Sequence, residues 1–243
     1  MNTTLCFDFG NTRLKCGVFT NGQLTEVLSL ADTKNETIEL LLKKYQPART
    51  ILSSVIEHNA SIEKILAKGS SFHKLSSQSI LPFTAPVSKP ETIGADRLAL
   101  AAGAVYFYKE KNNLVIALGS CVTYNFINKY HSFLGGSISP GMEMRFKALE
   151  LFTSKLPLVQ PHWNFPLLGY DTKTNIQSGV IFGMAKEIEG MIEAYEDRYE
   201  NLHTVMTGGD AHYFMPYLKR KITEDPDLLF KGLYTISEYN FSN

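Results

Sequence analysis

The sequence predicts an α/β fold made of two duplicated βββαβα halves. Three observations predict it. The first thirty residues read as three short strands in a row. Strands and helical patterns alternate after them. The opening strand–turn–strand unit then returns after about 110 residues, a spacing too long for a solenoid and suited to duplicated domains.

Each element has its own warrant. Thr3–Phe9 and Leu14–Thr20 are apolar runs of strand length on either side of a glycine bend, and Asn21-Gly22, the strongest short hairpin signal in the chain, leads into Gln23–Leu30. A helix is predicted over Asn35–Tyr45, where Ile38, Leu41 and Leu42 share a face. Thr50–Val55 reads as a buried strand, Asn59–Ala67 as a helix and Ser71–Leu75 as a strand. Three prolines between Ile80 and Pro90 predict an irregular connection. Gly94–Tyr108 is a strong helical pattern, with Tyr106, Phe107 and Tyr108 assigned to core packing.

Leu114–Leu118 is a strand that breaks at Gly119-Ser120-Cys121, and Val122–Asn128 and His131–Ile138 are the next two strands. Pro140–Leu151 is a helix with its proline near the start. Pro157 to Gly169 is a loop carrying the only tryptophan, Trp163, which reads as a lid, an interface or neither. Asn175–Arg198 is the longest helical pattern. Thr204–Thr207 is a strand ending in Gly208-Gly209-Asp210, and Ala211–Lys221 is a helix. The apolar stretch Leu228–Tyr239 is expected to dock as a strand or turn plus a helix. The echo of Gly10-Asn11-Thr12 in Gly119-Ser120-Cys121 sets the expected division at 1–112 and 113–243, two halves enclosing a central cleft with one hairpin on either side of a nucleotide.

Composition narrows the function. With 24 basic and 24 acidic residues the net charge is zero, and no run of like charge is long enough for an interaction tail, which disfavours nucleic acid as a partner. No stretch of 18 apolar residues is present, so no membrane span is expected. The N-terminus lacks a basic region and Asp8 interrupts its apolar run, so no signal peptide is expected. Cys6, Cys16 and Cys121 have no metal-binding spacing and are odd in number, which predicts reduced thiols in a cytoplasmic protein.

The chemistry concentrates in Asp8-Phe9-Gly10-Asn11-Thr12-Arg13-Leu14-Lys15. A carboxylate leaves a buried strand, a glycine turns the chain, and Asn, Thr and Lys offer donors. Such a turn can cradle phosphate with backbone N–H groups and a lysine, while the Asp holds Mg²⁺ through water. The competing reading is an ordinary hairpin. Gly94-Ala95-Asp96-Arg97 opens a helix with a potential base and an oxyanion fork. Its alternative is a first-turn carboxylate beside a surface arginine. Walker-type, dinucleotide-binding and nucleophile-elbow motifs are absent.

These motifs resemble the acetate kinase, sugar kinase, Hsp70 and actin superfamily, whose two ribonuclease H-like (actin-like ATPase) halves bind ATP in the central cleft. Within it, the Asp8–Lys15 loop, Gly94-Ala95-Asp96-Arg97 and Gly119-Ser120-Cys121-Val122-Thr123 follow the order and spacing of type III pantothenate kinase. Gly135-Gly136-Ser137-Ile138-Ser139-Pro140-Gly141, Gln177-Ser178-Gly179 and Thr207-Gly208-Gly209-Asp210 do so too. The resemblance runs from Leu5 to Tyr239. It implies phosphorylation of pantothenate by Mg-ATP, the first step of coenzyme A synthesis, with Asp96 as base and Arg97 and Thr172 as substrate ligands. It implies Gly119 and Ser120 as a second phosphate loop, Gly208-Gly209-Asp210 at the adenosine, and a homodimer that brings Thr172 to the substrate.

The sequence departs from that pattern at four positions. Ala117 stands where the family has the Asp that ligates a monovalent cation, K⁺ or NH₄⁺; Ser120 replaces Thr; Val87 replaces a substrate-contacting Tyr; and Asn125 replaces a frequent Asp. Two further readings stay open on these grounds. One is a non-catalytic relative that binds or regulates. The other is a kinase for another small alcohol.

Overall fold

The computed structural model describes residues 2–241, which form two compact units. The first takes the chain up to Glu110, the segment Ile127–Gly135 and the chain from Asp227 onward; the second takes Lys111–Phe126 and Gly136–Pro226.

The first unit contains strands β1 (Thr3–Phe9), β2 (Leu14–Thr20), β3 (Gln23–Leu30), β4 (Arg49–Ser54) and β5 (Ser71–Lys74), in sheet order β3-β2-β1-β4-β5. β1 runs antiparallel to β2 and parallel to β4, and β2 is antiparallel to β3. Asn21 and Gly22 both adopt positive φ (50° and 82°), the backbone that a two-residue hairpin needs and that this dipeptide supplies. Helices α1 (Asn35–Tyr45) and α2 (Ala60–Gly69) cover one sheet face: Leu5, Phe7, Phe9, Cys16, Val18 and Leu52 form one apolar cluster with Ile38, Ile62 and Leu66.

Helices α3 (Ala95–Phe107) and α7 (Leu228–Phe241) belong to the opposite face. Their contact is close because glycines meet backbone: a Cβ on Gly232 would overlap the Ala99 carbonyl, and one on Gly103 would meet Leu228 at 2.7 Å. The same helix layer reaches the sheet where Gly17 admits the Phe230 ring.

The second unit repeats the topology. Its elements are β6 (Asn112–Leu118), β7 (Cys121–Ile127), β8 (Phe133–Pro140), α4 (Met142–Leu151), α5 (Thr172–Glu196), β9 (Leu202–Thr207), α6 (Ala211–Phe214) and β10 (Thr223–Glu224). The sheet order β10-β9-β6-β7-β8 is that of the first sheet, with β6 in the place of β1, and β9 is parallel to both β6 and β10. The residues at the β7–β8 turn group with the first unit, where Phe133 donates its N–H to the Thr84 carbonyl at 2.8 Å. In the second unit α5 buries Ile176, Val180, Ile181, Met184, Ile188 and Ile192 against the sheet residues Leu114, Ile116 and Leu118.

Several expectations are corrected. The tail is one helix, α7, with no strand, and it joins the first unit rather than the 113–243 half, because its glycine-bearing face fits α3. The helix expected over Ala211–Lys221 stops at Phe214 and tightens into a 3₁₀ turn at Met215–Tyr217, where Pro216 lacks the N–H that a longer helix would use. Tyr106 and Phe107 are about half exposed; they pack edge to face on each other, with Lys109 over one ring and Lys231 over the other. Trp163 is anchored within the second unit, stacked on Tyr213 at 5.0 Å and edge-on to Phe214.

Candidate active site

The alternation of β1 decides where Asp8 lies. Leu5, Phe7 and Phe9 face α1 and α2, so Asp8, one residue out of phase, is on the α3 side of the sheet. Burial pushes the Asp8 carboxyl up to about 7, and the negative charge of Asp96 adds to the shift. Lys15, directly opposite in the β1–β2 register, and the Ser53 hydroxyl on β4 work the other way. The first unit therefore brings together the carboxylate of the Asp8 loop and the one that opens α3.

Asp96 is the second residue of α3. Burial raises its pKa; the N–H of Arg97, the Arg97 guanidinium and the residue's own N–H oppose this without cancelling it. The helix start thus favours the ionised carboxylate, as the sequence suggested, but burial outweighs it. A Cβ at Gly94 would come 2.5 Å from Asp96 Oδ1, so a larger residue there would push that carboxylate aside. Ala95 is half-buried at the helix start, and the Arg97 guanidinium lies 5.6 Å from the Phe133 ring centroid.

In the loop itself, Gly10 donates its N–H to the Arg13 carbonyl at 3.1 Å, which closes the bend and leaves Asn11, Thr12 and Arg13 exposed. Phe9 and Leu14 point their side chains into the core. Phe9 is fully buried against Phe7 and His58, and Leu14 packs on the same cluster, so only their backbone can face a phosphate. Val87 is half-buried in the irregular segment that precedes α3.

The second unit presents the matching turn, Gly119-Ser120, between β6 and β7. Nothing lies within 4 Å of a Cβ on Gly119. The turn is backed from behind: Gly141 donates its N–H to the Ser120 carbonyl at 3.1 Å, and any side chain at 141 would overlap the carbonyls of both turn residues. Gly208, at φ 100°, lies as tightly against Leu118, and Asp210 donates its N–H to the Leu118 carbonyl at 3.3 Å. The Gly208-Gly209-Asp210 turn is therefore built into the end of β6. Ala117 is half-buried; Asn125 is fully buried, its Nδ2 donating to the Val115 carbonyl and to Thr123 Oγ1. Thr172 is the exposed first residue of α5, capped by Asp171, which accepts from the Thr174 N–H at 2.7 Å.

A model of the type III pantothenate kinase family matches residues 4–194. A type III pantothenate kinase of Christiangramia forsetii is 41% identical over 238 residues, covering 97% of this chain and 98% of the relative. The chain belongs to the type III pantothenate kinase family. Among solved structures, a putative Baf family transcriptional activator from Campylobacter jejuni superposes with a TM-score of 0.64 at 21% identity, covering 98% of this chain and all of the other. An inorganic polyphosphate/ATP-glucomannokinase from Arthrobacter sp. strain KM gives 0.51 at 14% identity, covering 98% of each chain. These likenesses carry the actin-like, sugar-kinase type of fold.

For a type III pantothenate kinase the chain also holds a polar cluster that sequence reading missed. Glu187 on α5 accepts hydrogen bonds from Ser139 Oγ at 2.5 Å, from Tyr124 at 3.2 Å and from Arg145. Burial penalises its charge, but these three donors together bring its pKa below the usual carboxylate value. The partners are 42 to 63 residues away in sequence, so no local motif marks them.

Proposed function

We propose that the protein transfers the γ-phosphoryl group of ATP to the terminal hydroxyl of pantothenate, giving 4′-phosphopantothenate. The observation that carries this reading is the partly buried pair Asp8 and Asp96 on one face of the first sheet, in a chain of this family. Asp96 accepts the hydroxyl proton as the oxygen attacks the γ-phosphorus, and ADP leaves with the electron pair of the broken bond. A buried carboxylate with a raised pKa suits this role better than a solvated one. Arg97, its guanidinium next in sequence, holds a substrate oxyanion. The exposed Asn11, Thr12 and Arg13, with Lys15 and the loop backbone, take the triphosphate; Gly119 and Ser120 are the second loop's contribution.

Mg²⁺ fits the residues present. Among the described residues no group of three or more His, Cys, Asp or Glu could cage a metal. Asp8 supplies the single carboxylate that Mg²⁺ commonly uses beside substrate phosphates and water. When bound, Mg²⁺ neutralises charge on the triphosphate. The monovalent cation does not fit: Ala117 offers a methyl group, and Asn125 is engaged inside the sheet by its amide.

The homodimer is part of the same reading. Leu167, Leu168 and Tyr170, exposed just ahead of Thr172, support a covered interface there. Three unpaired cysteines support a reducing, cytoplasmic setting. Zero net charge gives no support to a nucleic-acid partner, and among the described residues no helix is long and apolar enough to cross a membrane.

The test is phosphorylation of pantothenate by Mg-ATP in the wild type and in Asp96→Asn. The expected result is turnover that falls about 10²- to 10⁴-fold in the variant. ATP binding without turnover in the wild type, or turnover on other alcohols alone, would overturn the assignment.

A further inference from the structure

The second phosphate turn is braced by the element that follows β8. Gly119 is exposed, with open space where a side chain would be. Its own hydrogen bond is short-range, from the Gly119 N–H to the Cys121 carbonyl. What fixes the turn is the end of β8. Gly141 donates to the Ser120 carbonyl and touches both turn carbonyls from behind. Pro140 and Gly141 are in turn gripped by Arg145, whose Nε donates to the Pro140 carbonyl at 2.8 Å and whose backbone N–H donates to the Gly141 carbonyl at 3.1 Å. The guanidinium is held by Glu187, which also takes the hydroxyls of Ser139 and Tyr124. One carboxylate thus fixes the end of β8, the start of α4 and a β7 tyrosine to α5.

We infer that Glu187 is a positioning residue for ATP, acting through Arg145 and the Pro140-Gly141 backbone to set the Gly119-Ser120 turn. Arginine suits the middle of this relay because its fork meets a carboxylate and a carbonyl at once, which a lysine ammonium cannot do in the same geometry. The ion pair is only about a quarter exposed on either side, so water cannot readily replace it. The relay lies wholly within the second unit, whereas the Asp8 loop and Asp96 belong to the first. It therefore affects where the phosphates rest and leaves the proton transfer alone.

The inference rests on the ATP-dependent reading of the same turn, and its test separates the two. Mg-ATP binding to the whole protein is measured by calorimetry, beside steady-state kinetics, for the wild type, Glu187→Gln and Arg145→Lys. Both variants are expected to weaken Mg-ATP binding and raise the KM for ATP about ten-fold. The KM for pantothenate and kcat at saturating ATP are expected to stay at wild-type values. Should Glu187→Gln fail to fold, Arg145→Lys, which keeps the charge, carries the test. Folded variants with unchanged ATP affinity, or with both KM values and kcat moving together, would overturn the inference. A wild type that binds Mg-ATP but leaves pantothenate untouched strikes the proposed reaction alone, because the calorimetric comparison still decides the role of Glu187.

Discussion

At the scale of the residue, Asp8 sits in an environment that its sequence position does not announce. The octamer Asp8–Lys15 shows a carboxylate followed by a glycine bend, and both are in place. What the sequence could not show is the charge of Asp96 acting on it from a helix 88 positions later, since that depends on which sheet face α3 covers. The consequence is a pH dependence with a definite sign. The folded carboxyl titrates at about 7 against 3.8 for the free group, so between these values the folded state holds a proton that the unfolded state has released. Stability of the unliganded protein therefore falls as pH rises from about 4 to about 7, then levels off. Chemical denaturation at pH 5 and pH 8 should show this loss in the wild type and a smaller one in Asp8→Asn. An equal loss in both would refute it.

Among the elements, the two β-turns that follow β1 and β6 occupy equivalent places in sheets of the same strand order, yet differ in chemistry. The first ends a strand carrying a carboxylate; the second follows Ala117. Most of the strand and helix pattern was legible because alternation and turn chemistry are local: Asn21-Gly22 specifies its hairpin wherever it lies. The end of α6 was marked by Pro216 in the sequence, but the apolar residues around it read as continued helix. The Glu187 cluster was not legible, since its members meet only through packing of α4 and α5 on the sheet. A functional expectation follows from the missing carboxylate. With no oxygen at Ala117 to hold a monovalent cation, and no charge at Asn125 to repel phosphate, transfer rates in Na⁺ and K⁺ buffers should agree. Strong and equal stimulation by K⁺ and NH₄⁺ would count against this.

For the whole molecule, the first compact unit is discontinuous in sequence: α7, which begins beyond the second unit, packs on α3 and against the first sheet. Deleting the chain from Asp227 would uncover the α3 face on which α7 packs and leave Ala99 and Gly103 without the contacts of Gly232 and Leu228. Such a truncation should lose cooperative unfolding of the first unit in a thermal melt, and a truncated chain that melts like the wild type would refute this.

The same helix bears on how the protein is made. On the ribosome, the first sheet and α3 emerge long before α7, which packs on both. The first unit must wait, with one sheet face open, until the second has been synthesised. That face of the first sheet is thus encoded early and covered late, so a nascent chain that stops short of α7 holds α3 without the helix that packs on it.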